Sequence, residues 1–273
     1  MLRAQPRLYL HGTPSRDAVR SLLAGGRLRP RAADTRGRFP ASRPDLVYLT
    51  TCFYRASEYA YNCNRDDWDE TPIRSEQCHV FGFELADVAV QPEEDELGWA
   101  VRLALRFAAG EVEAAPRRED GVLSVPSCGV TGSLLFCRTV STDIDLLRDL
   151  AAAATPLLTA SERFAELLRP HWPWDGRDCT RVGLHLAGRL PEPLLQRLID
   201  HSMSVAVSAA LAPAAIACWR WPRQGPRPFP MGISTIPETG VETVAIQAPA
   251  AAVKEAEQDD PAENELADDC LEP

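Results

Sequence analysis

A histidine, a glycine and two tyrosines have the types and spacing of a site that holds a flat ring. His11 and Gly12 follow a short apolar run; the glycine leaves room for a ligand, and the histidine nitrogens can bond hydroxyl or amide groups. Tyr48 lies in a second apolar run and Tyr59 follows eleven residues later, so two phenol rings can enclose a ring between their faces. The combination predicts a site for a heteroaromatic ring attached to a ribose.

Short strands and helices that alternate along the first part of the chain must position these residues. Apolar runs predict strands over 7–10, 46–50 and 79–86. Helical spacing of apolar residues predicts helices over 16–23, 54–61 and 99–109. The rings of the predicted site are therefore carried by different elements, which the fold has to bring together.

These motifs resemble those of the ADP-ribosyltransferase superfamily, in particular the bacterial or phage members of the branch related to poly(ADP-ribose) polymerases. That branch carries an H-G-[ST] strand, a helix that ends in glycine, and a Y-[FL]-[AST] strand followed by a helix with a second tyrosine. The resemblance covers about residues 7–146. The matching residues are His11-Gly12-Thr13, Ala24-Gly25-Gly26, Tyr48-Leu49-Thr50 and Tyr59.

The resemblance implies an α+β fold in which a split, mixed or antiparallel β-sheet with short helices binds NAD⁺ as the substrate. His11 would then bind the adenosine-side ribose and the Gly12 backbone the nicotinamide amide, while Tyr48 and Tyr59 would flank the nicotinamide ring. The predicted NAD-binding set is His11, Gly12, Thr13, Tyr48, Thr50 and Tyr59. Arginine can bond phosphate through two nitrogens. Candidates for the NAD⁺ phosphates are Arg7, Arg16, Arg20 and Arg55.

The reaction that the resemblance implies is displacement at the anomeric carbon of the nicotinamide ribose. The sugar becomes oxocarbenium-like, so the enzyme has to stabilise positive charge. Members of the family that modify protein usually supply a glutamate from a late strand. The segment 131–136 is similar to that strand and places Ser133 at the glutamate position, so the predicted catalytic residues are His11, Tyr48 and Ser133.

Three carboxylates are alternatives for the third catalytic position. Glu94 and Glu96 belong to an acidic turn expected at 92–96, for which the simpler interpretation is a solvated loop. Glu242 opens a strand expected over 241–247, but lies far along the chain from the other motifs.

Charge is unevenly distributed along a chain whose net charge is −10. Residues 1–55 hold eleven arginines and three acids, a surplus that fits a phosphate-bearing ligand or nucleic acid. The arginines over 27–43 could contact a nucleic-acid target, although a solvated basic loop is the simpler interpretation. Residues 254–273 hold nine acids and one lysine, and we expect an acidic disordered tail over 251–273.

Composition excludes several classes of protein. With 45% hydrophobic and 25% charged residues, the chain is typical of a folded soluble protein. The longest apolar stretch, 203–219, is mostly alanine and is broken by Pro213, which predicts a buried helix rather than a membrane span. No signal peptide is evident, and the eight cysteines form no C-x-x-C motif. We therefore expect a cytoplasmic protein without a metal site.

The pattern becomes mainly helical in the second half of the chain. We expect an ADP-ribosyltransferase-like domain over 1–146 and a mainly helical accessory region with a closing strand over 147–250. Within the accessory region, the pattern predicts a strand over 182–186 and a long helix over 193–211.

The expected function is mono-ADP-ribosylation of a protein or nucleic-acid target, as in a bacterial or phage toxin or effector. One alternative is an RNA 2′-phosphotransferase of the same superfamily, whose second basic His-Gly motif is missing here. The other is a non-catalytic binding module in which His11 and the tyrosines are packing residues. The expected partners are NAD⁺ and the acceptor, with no membrane.

Overall fold

The structure of the chain is a computed structural model. It describes residues 1–28, 43, 45–61, 74–111, 140, 142–169, 174–224, 228–229 and 235–247. The predicted late strand with Ser133, most of the basic loop and the acidic tail lie outside the described residues. Within the described part of the chain, helices pack against a seven-stranded sheet, which confirms the predicted α+β class.

The sheet combines strands from both halves of the chain. Its strands are β1 (Leu8–Ser15), β2 (Leu46–Thr50), β3 (Arg74–Glu84), β4 (Val90–Pro92), β5 (Ser204–Ser208), β6 (Ala217–Pro222) and β7 (Glu242–Thr243). Their order is β4-β5-β2-β1-β3-β6-β7, and every pairing among the described strands is antiparallel. The first strand continues past residue 10, where it was expected to end, because His11, Gly12 and Thr13 pair with β3.

Capping residues set the starts of several helices. The helices are α1 (Arg16–Leu23), α2 (Phe53–Tyr61), α3 (Glu94–Ala108), α4 (Ile144–Thr159), α5 (Glu162–Ala165), α6 (Gly176–Leu186) and α7 (Glu192–His201). The Ser15 side chain accepts a hydrogen bond from the Ala18 amide at the start of α1, and Asp143 does the same for Leu146 in α4. No helix in the described ranges is long and apolar enough to cross a membrane.

Helices cover both faces of the sheet. Side chains alternate along each strand, so Tyr9 of β1 faces a core shared with α1, whereas Leu10 faces a core shared with α2. A third core joins α3, α4, α6 and α7, and includes Leu97 and Leu198. The boundary expected at residue 146 falls inside α4, so the two regions share one sheet and share packed cores.

The strand expected over 182–186 is wrong, because this segment is the end of α6. Cys179, Val182 and Leu186 are buried at helical spacing. The start of α6 is fixed by a capping box in which the Asp175 side chain accepts from the Asp178 amide and the Asp178 side chain accepts from the Asp175 amide.

The long helix expected over 193–211 is confirmed only in its first part. The helix α7 ends at His201, and the next residues alternate as Ser-Val-Ala-Val-Ser, which is typical of a strand and forms β5. The apolar stretch 203–219 is accordingly not a buried helix but β5, a 3₁₀ turn at Ala209–Leu211 and the start of β6. The closing strand is shorter than expected, since it consists of β7 alone.

Candidate functional site

The site lies where β1 and β2 separate. Their strand pairing is confined to Leu10 and Thr50, whereas β1 pairs with β3 along its length. Next to this pair the His11 ring spans the gap, with its Nδ1 3.0 Å from the backbone oxygen of Tyr48. The ring thus provides the partner that a neighbouring strand would otherwise give the carbonyl. Because a carbonyl can only accept, Nδ1 carries the proton and Nε2 is left as an acceptor when the ring is neutral.

A narrow cleft with a cavity volume of about 20 Å³ lies at this split and is partly open to solvent. Five of the six residues predicted to bind NAD⁺ line it, and Thr13 does not. The lining residues are Leu10, His11, Gly12, Tyr48, Leu49, Thr50, Arg55, Ala56, Tyr59, Glu93 and Ser204.

Gly12 allows α2 to lie directly on β1. A Cβ at this position would lie 1.8 Å from the backbone oxygen of Ala56 and 2.8 Å from the amide nitrogen of Ala60. The space that the missing side chain leaves is therefore filled by the helix, not by a ligand as the sequence suggested. This close approach brings Arg55 and Tyr59 to the cleft.

The two tyrosines reach the cleft from β2 and α2. Tyr59 is 46% exposed, whereas Tyr48 is half-buried and its hydroxyl accepts a hydrogen bond from the Arg43 amide at 3.2 Å. Burial raises the pKa of Tyr48 far above its usual value, and the nearby charge of Glu94 raises it further. The Tyr48 hydroxyl is thus a neutral group that is held in place. The Tyr59 hydroxyl is hydrogen-bonded to Arg55, while part of its ring is exposed at the cleft.

The acidic segment expected as a solvated turn is buried at the start of α3. Glu93, Glu94 and Glu96 are 6%, 4% and 0% exposed. Glu93 caps the helix, since its Oε2 accepts a hydrogen bond from the Glu96 amide at 3.1 Å. Helix α6 packs tightly on this turn: a Cβ on Gly183 would lie 1.8 Å from the backbone oxygen of Glu94.

Arg55 lies between two of these buried carboxylates. Its Nη2 donates to Glu93 Oε1 at 2.9 Å and its Nη1 to Glu96 Oε1 at 3.4 Å, and the guanidinium is itself buried. Burial raises the pKa of both carboxyls, and the Arg55 charge acts in the opposite direction. Arg55 is therefore committed to carboxylates rather than to the NAD⁺ phosphates, for which it was a candidate.

Glu96 connects this ion-pair cluster to the sheet. Its Oε2 accepts hydrogen bonds from the backbone amides of Met203 and Ser204, at 3.2 and 3.1 Å. These residues lead into β5, whose register with β2 sets Ser204 opposite Thr50 and Ala206 opposite Tyr48. The carboxylate cluster therefore helps to fix the position of Ser204 at the cleft.

The alternatives for the third catalytic position differ in their relation to the cleft. Ser133 lies outside the described residues. Glu242 lies on β7 at the far edge of the sheet, exposed and paired with Arg220 at 2.7 Å. Glu94 and Glu96 are buried beside the cleft without lining it.

Sequence reasoning missed Glu93 and Ser204 as cleft residues. Helix α3 was expected to start at Trp99. The helical spacing of apolar residues nevertheless continues towards the N-terminus, through Ala104, Val101, Ala100 and Leu97. A helix starting five residues earlier would have made Glu93 its capping residue.

Comparison with known proteins gives no match: no family model, curated protein or solved structure matches the chain. The features that bear on its function are therefore those of the cleft itself. They are a histidine that bridges two separating strands, two tyrosines, and a buried carboxylate held by an arginine.

Proposed function

We propose that this protein is an NAD⁺-dependent ADP-ribosyltransferase that transfers a single ADP-ribose to a protein or nucleic-acid target. The observation that supports this proposal most is the meeting of His11, Gly12, Tyr48, Thr50 and Tyr59 around one cleft, although they come from three elements. The same residues carry the resemblance to the motifs of the ADP-ribosyltransferase superfamily.

The charge around the cleft favours a cationic ligand. Two buried carboxylates, Glu93 and Glu96, share one guanidinium, that of Arg55. Burial raises the pKa of Glu93 to about 8, so a bound cation is what favours ionisation of both carboxylates and the excess negative charge that follows from it. The nicotinamide of NAD⁺ is a pyridinium cation, and the sugar becomes positively charged as nicotinamide leaves. Both charges are stabilised by a fixed negative group in a poorly solvated site.

An RNA 2′-phosphotransferase needs cationic groups for an RNA phosphate. Arg55 is the one cationic side chain among the described lining residues, and its charge is taken up by Glu93 and Glu96. NAD⁺ itself carries two phosphates, so this shortage of cationic groups applies to both reactions. What favours the transferase is the missing second basic His-Gly motif. We expect the protein to act in the cytoplasm, where NAD⁺ and both classes of acceptor are present.

Mass spectrometry of cell components tests this function. Cells would express either the wild-type chain or the His11→Ala variant, and protein, DNA and RNA would be searched for added ADP-ribose. We expect modification in one of these fractions with the wild type and none with the variant. Absence of ADP-ribose from all three fractions would contradict the proposal, as would equal modification by the variant.

A further inference from the structure

Cleavage of the bond between nicotinamide and ribose requires a group that stabilises a positively charged sugar. Enzymes that form oxocarbenium-like sugars commonly use a carboxylate for this purpose. The strand beside β2 presents Ser204 to the cleft, and a hydroxyl cannot supply negative charge at neutral pH. The carboxylate must therefore come from another element.

Three of the candidate carboxylates are occupied elsewhere. Glu242 is exposed at the far edge of the sheet in an ion pair with Arg220. Glu96 is fully buried, and its oxygens accept from Arg55 and from two backbone amides. Burial raises the pKa of Glu94, and a hydrogen bond from the Tyr48 hydroxyl has a smaller, opposite effect on that pKa. Neither Glu94 nor Glu96 lines the cleft.

Among the described residues, Glu93 is the carboxylate that both lines the cleft and is held rigidly. Arg55 bonds its Oε1 at 2.9 Å and the Glu96 amide bonds its Oε2 at 3.1 Å, so each oxygen keeps lone-pair capacity for a ligand. Burial raises the pKa of Glu93 to about 8, while the Arg55 charge and the positive end of the helix dipole at this N-cap of α3 favour the ionised form. A charge fixed in this way needs little reorganisation when the sugar becomes positive.

We propose that Glu93 is the catalytic carboxylate of this site, an inference that rests on the proposed transferase function. The bond between C1′ of the ribose and the nicotinamide nitrogen breaks, and its electron pair leaves with nicotinamide, which becomes neutral. An acceptor hydroxyl, or water in its absence, forms the new bond to C1′ and loses its proton to solvent. The ionised form of Glu93, which a bound cation favours, stabilises the positive sugar between the two events.

Kinetics of nicotinamide release from NAD⁺ by full-length variants test this role. Glu93→Gln keeps the shape of the side chain and removes its charge. We expect kcat to fall about 10²–10³-fold, with the Kd for NAD⁺ changed far less, because the lost interaction forms in the transition state. Asp95→Asn is the matched control from the same turn: Asp95 bonds Thr180 and does not line the cleft. We expect its kcat to stay near that of the wild type.

The outcomes separate this inference from the proposed function. If the wild type releases no nicotinamide, the transferase function fails. If the wild type is active and Glu93→Gln has an unchanged kcat, or loses NAD⁺ binding as much as activity, the assignment of Glu93 is overturned. Should Glu93→Gln not fold, Glu93→Asp keeps the charge but withdraws it from the cleft. A folded Glu93→Asp with at least about tenfold lower kcat would support the assignment, and an unchanged kcat would overturn it.

Discussion

The Nδ1 of His11 lies 3.0 Å from the backbone oxygen of Tyr48 and joins β1 to β2 where their strand pairing stops. This bond orients the ring, because it fixes the proton on Nδ1 and leaves Nε2 to accept a hydrogen bond. It also makes the histidine part of the sheet. His11 therefore has a structural role as well as the proposed binding role, and variants at this position have to be checked for folding.

The first prediction concerns the pH dependence of folding. Burial lowers the pKa of His11 from its ordinary value of 6.5, with the bond to the Tyr48 carbonyl acting in the opposite direction. As pH falls below 6.5, the unfolded chain takes up this proton before the folded chain does, so the free energy of unfolding decreases. Urea unfolding at a series of pH values should show a smaller acid loss in His11→Asn than in the wild type.

The comparison between variant and wild type isolates His11 from other groups. His79 also has a pKa lowered by burial, and it is present in both proteins. Parallel stability curves for wild type and His11→Asn below pH 6.5 would show that His11 does not resist protonation in the folded state.

The close packing of α2 on β1 gives a second prediction. Gly12→Ala would place a Cβ 1.8 Å from the backbone oxygen of Ala56, so the helix must move. We expect a loss of about 1–3 kcal/mol in the free energy of unfolding, measured in urea. Gly188→Ala is the control, because a Cβ there meets no atom within 4 Å. Equal effects of the two substitutions would contradict the packing described.

The buried ion-pair cluster gives a third prediction. Arg55→Met removes the guanidinium and leaves Glu93 and Glu96 buried without a counter-charge, so we expect a loss of about 3–5 kcal/mol in the free energy of unfolding. Arg148→Met breaks an exposed pair with Asp145 and should cost at most about 1 kcal/mol. Denaturant unfolding of both variants checks this difference. If Arg55→Met lost as little free energy of unfolding as Arg148→Met, the ion pairs of Arg55 would contribute little to stability.

The fourth prediction separates the Tyr59 ring from its hydroxyl. Tyr59 is 46% exposed, so its removal should leave the fold intact. If its ring stacks on nicotinamide, Tyr59→Ala should weaken NAD⁺ binding by about 0.5–1.5 kcal/mol, whereas Tyr59→Phe should bind as the wild type does. Calorimetric titration with NAD⁺ measures both. Equal affinity of the alanine variant and the wild type would exclude stacking on this ring.

Local sequence signals predicted the elements around the cleft because those elements are short and strongly patterned. The helix over 16–23 and the strand over 46–50 have the predicted bounds. Two predictions after residue 180 failed. The strand expected over 182–186 is part of α6, which Asp175 caps, and the end of the helix expected over 193–211 contains β5, whose alternating residues 204–208 lie in an apolar, alanine-rich stretch.

The burial of Glu93 in an ion pair could not be predicted from local patterns. Its burial depends on Arg55, which lies 38 residues earlier in the chain, and on the packing of α6 against the start of α3. Charged residues in sequence are usually solvated, so an acidic run gives no sign of a buried ion pair unless its partners are known. Likewise, β5, which pairs with β2 in the described structure, lies in a segment that was expected to belong to a long helix over 193–211.

Release of nicotinamide from labelled NAD⁺ tests the central claim most directly. The wild-type chain would be incubated with NAD⁺ in the presence of protein, DNA and RNA acceptors, beside a His11→Ala variant whose folding has been verified by circular dichroism. We predict nicotinamide release by the wild type and loss of release in the variant. No release by the folded wild type with any acceptor, or undiminished release by the folded variant, would contradict the claim that the cleft at His11 binds and cleaves NAD⁺.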